Sequence, residues 1–142
     1  MAIDFPNTPS TNQTFSSNGR TWLYDGAKWV LQVSAPNALI NTNAQTANYT
    51  LVLTDGQKLV EMNVGSANIL YVPTNASVAF PVGTSIDILQ TGAGKTQILP
   101  VTSGTTTIHS ANGAYLRAQW SIATLVKRAT DDWVLFGDTA TS

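Results

Sequence analysis

The sequence contains no cysteine, and this excludes disulfide bonds and metal sites built on thiolates. The first residues lack a basic stretch followed by an apolar one, so no secretory signal peptide is predicted. No apolar run approaches the roughly 18 residues that a membrane-spanning helix needs. We therefore expect a soluble protein made in a cytoplasm, without membrane contact.

Charged side chains are scarce: they make up 11% of the 142 residues, against about 25% in ordinary globular proteins. The seven cations are scattered and the net charge is −1, so the composition does not indicate a nucleic-acid partner. Thr, Ser, Asn and Gln must supply the polar surface instead. Because few ions would need desolvation, such a surface favours contact with other copies of the chain.

Patterns typical of catalytic and metal sites are missing as well. Histidine occurs once, as His109, and its sequence neighbours offer no partner to orient a general base. Asp131, Asp132 and Asp138 do not have the spacing of a calcium loop, and we interpret them as turn carboxylates. The sequence therefore predicts no catalytic residue, cofactor or metal.

The segment Thr91–Thr96 ends in Gly-Lys-Thr, like a phosphate-binding loop. That motif needs an earlier glycine where this chain has Leu89, and it needs a helix to follow. Here the chain continues into Gln97-Ile-Leu-Pro100, which is not a helix start. We predict a hairpin loop.

Turn signals are plentiful and favour hairpins with type I′ turns; they lie at Asn18-Gly19, Asp25-Gly26, Asp55-Gly56 and Asn112-Gly113. The first two frame a three-stranded meander, with Trp22 and Trp29 on neighbouring strands. Together with an N-terminal arm it forms a predicted unit over residues 1–33. A unit this small must dock on something to be stable.

Residues 34–47 are rich in Ala, Asn and Thr and are predicted to be a linker with a short central strand at most. The main domain follows over residues 48–142. Alternation places Tyr49, Leu51 and Leu53 on one face of its first strand, and Asp55-Gly56 predicts a hairpin into the second.

The rest of the main domain reads as short strands separated by turns, a pattern typical of a β-sandwich or barrel. No exact internal repeat is present, which disfavours a solenoid. The last two strands form a closing hairpin over residues 121–138, with Trp133 and Phe136 expected in the core. Its residues of opposite sign, Lys127-Arg128 and Asp131-Asp132, are available for pairing between subunits. The predicted fold class is all-β.

Most aromatic residues lie in alternating strands and are expected in the core. Trp120 is an exception, because it stands at a strand entry between polar neighbours. With Tyr115 it is a candidate platform for stacking on a sugar ring.

Two parts of the chain resemble proteins of tailed phages. The first runs from Met1-Ala-Ile-Asp-Phe-Pro6 to Arg20-Thr-Trp-Leu-Tyr-Asp-Gly-Ala-Lys-Trp-Val30 and resembles the start of many virion structural proteins, particularly of phages of cyanobacteria and marine bacteria. The second comprises Tyr49–Met62, Phe80–Thr84 and Leu116–Thr130, which occur in order and resemble a β module of phage fibre and decoration-type proteins.

The resemblance implies a virion structural protein that forms homotrimers and is made in the host cytoplasm, and it carries no catalytic motif. The first hypothesis is a capsid decoration (cement) protein on the surface of the phage particle, with the major capsid protein or another virion protein as partner. Under it, Ile3, Phe5, Trp22 and Trp29 would make lattice or intersubunit contacts.

The second hypothesis is a tail-fibre, collar or tail-tip module that binds host-surface glycan through Tyr115 and Trp120. An enzyme such as a glycan depolymerase is the third. It would need two acidic residues about 5–10 Å apart in a cleft, whereas the carboxylates here lie mostly in turns. We therefore expect no enzymatic activity.

Overall fold

The structure is a computed structural model that describes residues 4–32 and 40–142. Nearly all of its regular elements are β-strands, so the predicted all-β class is confirmed. The chain divides into two compact units, residues 1–39 and 40–142. Residues 34–39 of the predicted linker lie outside the described residues, and the second unit begins at Ile40.

The first unit is the predicted antiparallel meander. It consists of β1 (Thr14–Ser17), β2 (Arg20–Tyr24) and β3 (Trp29–Gln32), with β2 in the centre. Asn18 and Gly19 connect β1 to β2 with φ angles of 50° and 73°, as a type I′ turn requires.

The second unit is a sandwich of two sheets, with strands listed here in chain order: β4 (Thr42–Gln45), β5 (Tyr49–Thr50), β6 (Leu59–Met62), β7 (Asn68–Val72), β8 (Ser85–Gln90), β9 (Thr96–Pro100), β10 (Thr107–Ser110), β11 (Tyr115–Leu116), β12 (Ile122–Ala129), β13 (Asp132–Gly137) and β14 (Thr139–Ala140). One sheet has the order β10-β13-β12-β8-β6-β4, and the other β14-β11-β9-β7-β5. A 3-10 turn, Leu53–Asp55, lies between β5 and β6.

Inward-facing side chains of both sheets form one core, because alternate residues of each strand face the same side. Its buried members are Leu51, Val60, Met62, Leu70, Val72, Phe80, Ile86, Ile88, Ile98, Leu116, Ala123, Leu125, Trp133 and Leu135.

The first six strands of this unit form stacked coils, and the expectation against a solenoid is wrong in this part of the chain. The chain alternates between the two sheets, and β4, β6 and β8 are parallel neighbours in one sheet while β5, β7 and β9 are parallel neighbours in the other. The coils differ in length: Asn48 bonds Ile69 across 21 residues, but Thr96 bonds Asn68 across 28. Unequal coils leave no exact sequence repeat.

The segment that resembles a phosphate loop connects β8 to β9 and is a coil turn, so the predicted hairpin loop is wrong. Gly94 stacks on the corresponding turn of the previous coil, where its backbone N–H donates to Val64 O at 2.9 Å. A Cβ atom on Gly94 would overlap the carbonyl group of Ser66. The glycines here permit coil stacking.

The hairpin predicted at Asp55-Gly56 is also wrong. The strands on either side, β5 and β6, lie in different sheets, and Gly56 has φ −53° in place of the positive angle of a type I′ turn. Asp55 is buried and accepts hydrogen bonds from neighbouring coil residues. The chain therefore turns inward at Asp55, and Leu53 is left exposed and not on the buried face with Leu51.

The closing hairpin is confirmed. β12 and β13 pair antiparallel, and Asp131 in their turn has φ 53°. Trp133 is buried as predicted, but Phe136 is exposed. Successive strand residues face opposite sides, so two residues three positions apart cannot both enter the core.

Candidate functional site

Two large apolar side chains lie together on the outer side of the six-stranded sheet. Ile122 precedes the buried Ala123, and Phe136 follows the buried Leu135, so both point away from the core. They are 46% and 54% exposed. Phe136 pairs with Thr124 across the strands, which makes Ile122 its diagonal neighbour, at about 7–8 Å and within reach of an aromatic ring.

Trp120 adds a third exposed apolar side chain at the entry to β12. It is 68% exposed and has φ 71°, a left-handed conformation that bulky residues rarely adopt. Its backbone N–H donates to Gln90 O at the end of β8, at 2.7 Å. Strain of this kind persists only where surrounding contacts enforce it, and it is frequent at functional sites.

An ion pair next to Trp120 enforces that conformation. Arg117 donates from Nε and Nη2 to the two carboxylate oxygens of Asp138, at 2.5 and 2.8 Å. Asp138 also accepts from the Ser121 hydroxyl at 2.6 Å, and Ser121 Oγ in turn accepts from the N–H of Ala118 at 3.0 Å. The Arg117 guanidinium and then the Ser121 hydroxyl lower the pKa of Asp138. The turn is thereby fixed to the end of β13.

We call the surface formed by Trp120, Ile122 and Phe136, with the half-buried Leu89, Val126 and Val134, the apolar outer face. Its strand members are adjacent in register, because Ile122 pairs with Leu89, and Val126 with Val134. Trp120 joins them at the entry to β12, where its N–H bonds Gln90 O. Trp120 was singled out by its position at a strand entry. Ile122 and Phe136 were missed, although strand alternation around the buried Trp133 would have placed Phe136 outward.

Each end of the closing hairpin carries one Arg–Asp pair. Arg117–Asp138 lies at the Trp120 end. At the other end Arg128 Nε bonds Asp132 Oδ1 at 2.8 Å, so this pairing occurs within the chain. His109 Nε2 lies 3.1 Å from Asp132 Oδ2.

The position of His109 corrects the sequence analysis, which found no partner for it. β10 pairs parallel with β13, and this brings His109 beside Asp132 from 23 residues away. Arg128 first and His109 second lower the pKa of Asp132. The side chain of His109 is mostly exposed, and both groups lie at the surface.

Three of the four predicted assembly residues come together in the first unit, and Ile3 lies outside the described residues. The ring of Phe5 lies 5.4 Å from those of Trp22 and Trp29, edge-on to the first and stacked on the second at 15°. Phe15 completes the cluster, also 5.4 Å from Phe5. Trp22 is buried. This aromatic cluster is the core of the meander.

The two predicted platform residues occupy different surroundings. Tyr115 lines an open depression of about 320 Å³ together with Asn48, Gln97 and Lys95, whose Nζ lies 5.6 Å from the centre of the tyrosine ring. Trp120 is not among the residues that line this depression.

A larger open depression of about 480 Å³ contains no ionisable side chain. Its lining residues are Leu53, Gly56, Gln57, Phe80, Pro81, Val82, Gly83 and Thr84. Leu53 and Val82 are exposed there. The lining supplies neither a nucleophile of lowered pKa nor an acid–base pair.

Within residues 4–32 and 40–142, no group of three or more His, Asp or Glu residues is placed to hold a metal ion. The same part of the chain has no helix that is long and apolar enough to cross a membrane.

No protein-family model matches the sequence, and no curated protein matches it either.

Proposed function

We propose that the chain is a non-enzymatic structural protein of a bacteriophage virion, a capsid decoration protein that associates with copies of itself on the particle surface. The observation that carries the proposal is the apolar outer face, where Ile122 and Phe136 are exposed on the outer side of the six-stranded sheet and Trp120 is exposed at the entry to β12. Exposed apolar groups of this size mark interaction sites on soluble domains.

The size of the apolar outer face fits a protein partner. Its three most exposed side chains present on the order of 400 Å² of apolar surface, given the large areas of aromatic residues. A standard interface buries about 800 Å² on each partner, of which somewhat more than half is apolar. One contact of standard size would therefore cover this face.

The charges around the face favour a second copy as that partner. Each end of the closing hairpin carries one cation and one anion, in the pairs Arg117–Asp138 and Arg128–Asp132. A second copy can therefore place an opposite charge near each of these ends, whichever way its own hairpin runs. A homotrimer closes when the apolar outer face of each copy packs on a second, different surface of the next copy and this surface pair is used three times. The low charge content lowers the desolvation cost of that contact.

The carboxylates support a structural role, because each of those described in the hairpin and the first coil bonds a neighbouring group. Asp55 is buried and bonded to Asn43 and Tyr49, while Asp132 and Asp138 pair with arginines. Such acids fix local conformation, whereas a glycosidase needs two carboxyl groups free to face a cleft. The virion location rests on the resemblance of residues 1–30 and of the β-module segments to phage structural proteins.

The test of self-association compares Trp120→Asp/Phe136→Asp with Val101→Asp. Val101 is also exposed but lies outside the apolar outer face. We expect trimers of the natural chain and of Val101→Asp in sedimentation, and monomers of the double variant with an unchanged circular dichroism spectrum. A double variant that sediments like the natural chain would contradict the proposal.

The first unit is proposed to attach the protein to the shell, through its arm and the surface around the Phe5, Trp22 and Trp29 cluster. Deletion of residues 1–33 should abolish binding to phage particles that lack the protein, because the second unit has its own core and remains folded. Cosedimentation with particles measures this. Full binding by the shortened chain would refute the attachment role.

A second candidate function is binding of host-surface glycan as a tail-fibre, collar or tail-tip module. The depression beside Tyr115 favours it, since Asn48, Gln97 and Lys95 offer polar groups next to an aromatic ring. A glycan array should then give hits that Tyr115→Ala removes and Tyr71→Ala keeps. An array without hits would count against this function.

A further inference from the structure

Lys127 is a buried lysine whose amine bonds an amide side chain directly. It lies on the inward side of β12 and is 2% exposed. Its Nζ donates to Asn75 Oδ1 at 2.5 Å and to the carbonyl oxygen of Phe80 at 2.7 Å. Within the described ranges, no carboxylate oxygen lies within 4.0 Å of this nitrogen.

The surroundings of the amine are aromatic. Nζ lies 5.8 Å from the centre of the Trp133 ring, and the ring of Phe80 meets that of Trp133 edge-on at 5.5 Å. Burying a charged amine without a counter-ion is unfavourable. An apolar residue at position 127 would avoid this cost, and a carboxylate beside the amine would offset it. Within the described residues, this position has neither.

We propose that Lys127 and Asn75 join in an intramolecular isopeptide bond. The free-base amine of Lys127 attacks the side-chain carbonyl carbon, Cγ, of Asn75, and a new C–N bond forms. The C–N bond to Nδ2 breaks, a proton from Nζ passes to Nδ2, and ammonia leaves. One amide replaces another, so no oxidant, reductant or cofactor is consumed.

The geometry brings the reacting atoms together. Because a carbonyl bond is about 1.2 Å long and Nζ lies 2.5 Å from Oδ1, Nζ lies at most about 3.7 Å from Cγ. Reactive conformers hold the bond-forming atoms roughly 3–3.5 Å apart. Lys127 and Phe80 are buried and Asn75 is half-buried, so the protein covers one side of the reacting atoms against water, which would compete with the amine for the carbonyl carbon.

Asp131 is a positioning residue for this reaction. Its Oδ1 accepts hydrogen bonds from the backbone N–H of Asn75 at 2.6 Å and from the Thr106 hydroxyl at 3.1 Å. Asp131 occupies the turn of the closing hairpin, on the same hairpin as Lys127. The turn thereby holds Asn75 against the strand that carries the amine.

The bond would connect the segment between β7 and β8 to β12, two parts of the chain 52 residues apart. A crosslink of this kind restricts the unfolded chain in the same way as a disulfide does. It supplies covalent reinforcement to a chain that has no cysteine. The crosslink depends only on the contacts of Lys127 with Asn75 and of Asn75 with Asp131, and not on the proposed place in a virion.

The test is the intact mass of the purified, folded full-length chain. The bond lowers the mass by one ammonia, about 17 Da, and protease digestion then yields a branched peptide that joins the Lys127 and Asn75 segments. Lys127→Arg and Asn75→Ala should show their full sequence masses. A natural chain that stays at its full mass after long incubation, while folded by circular dichroism, would overturn the proposal.

Two further variants separate chemistry from folding. Asn75→Asp keeps the acceptor oxygens and should lose water, about 18 Da, in place of ammonia. Asp131→Asn keeps an acceptor oxygen for the N–H of Asn75 and should still crosslink, whereas Asp131→Ala should crosslink at least tenfold more slowly at equal foldedness. A full-mass product from folded Asn75→Asp, or equal rates for Asp131→Ala and the natural chain, would contradict the assigned roles.

Discussion

Tyr49 donates its hydroxyl hydrogen to Oδ2 of the buried Asp55 at 2.8 Å, within the first coil of the second unit. Asn43 donates to the other carboxylate oxygen at 2.8 Å, and the N–H of Val52 donates to Oδ2 at 2.9 Å. This network closes the exposed end of the coil stack with polar groups, as the terminal repeats of stacked-coil proteins require.

Tyr49→Phe should lower the free energy of unfolding by about 1–3 kcal/mol, because it removes a donor from a buried carboxylate. Urea denaturation measures the change. Tyr71→Phe is the matched control, since no hydrogen bond of the Tyr71 hydroxyl occurs within the described ranges. Equal losses of unfolding free energy in the two variants would show that the hydrogen bonds to Asp55 do not stabilise the fold.

Ionisation of Tyr49 should also lower the free energy of unfolding in alkali. Burial, and then the hydrogen bond to Asp55, raise the pKa of Tyr49. The folded state therefore holds the proton more tightly than the unfolded state, and the stabilisation is complete below about pH 10 and is lost as the pH rises through the raised value. Urea midpoints between about pH 9 and 11.5 should fall more steeply for the natural chain than for Tyr49→Phe. Parallel curves would refute the assignment.

Acid should weaken the fold through Asp138 and Asp132. Arginine hydrogen bonds lower the pKa of both carboxyls, so the unfolded state binds protons first. Their contribution is present above about pH 3.9 and disappears as the pH falls through the lowered folded values. Asp138→Asn should flatten this part of the stability curve, measured by urea unfolding from about pH 5 to 2. Because the pairs are exposed, added salt should reduce the difference.

Gly94→Ala should destabilise the second unit strongly, by about 1–3 kcal/mol or more, because the added Cβ overlaps the backbone of Ser66 in the coil below. Gly65→Ala is the control: it lies in the turn of the previous coil and a Cβ there meets no atom within 4 Å. Thermal unfolding of the two variants measures the contrast. A Gly94→Ala protein as stable as Gly65→Ala would mean that the two turns do not stack.

Trp120→Asn should raise the free energy of unfolding of the monomer by about 0.5–1 kcal/mol while it weakens self-association. Asparagine adopts the left-handed conformation at lower cost than tryptophan does. Unfolding must be measured at a concentration where the chain is monomeric, because association also stabilises the folded state. Trp120→Ala is expected to lose association without the same gain. A less stable Trp120→Asn monomer would contradict the strain at this position.

Local pairing could be predicted from the sequence, and pairing between distant segments could not. The meander and the closing hairpin follow from alternation and from turn residues that join adjacent strands. The parallel coils join segments 21 and 28 residues apart with no exact repeat, so single-strand patterns do not reveal them. Asp55-Gly56 shows the same limit, since a dipeptide typical of hairpins here serves a buried hydrogen-bond network.

The candidate site was predictable in part for a similar reason. Trp120 stands out locally because it precedes a strand between polar residues. Ile122 and Phe136 become recognisable as exposed only once the register of β12 and β13 fixes which side faces the core. The expectation that Lys127 is available for pairing between subunits is wrong, because it is buried, and nothing in its sequence neighbourhood identifies Asn75, 52 residues earlier, as its contact.

The register between the second and third coils suggests how such a protein could change length. Leu59 aligns with Asp87 in one sheet and Asn68 with Thr96 in the other, both with an offset of 28 residues. A tandem duplication of one such segment would insert a whole coil, since every new strand would find a partner above and below. The polar network at one end and the closing hairpin at the other would remain in place, so a lineage could extend the molecule without redesigning its ends.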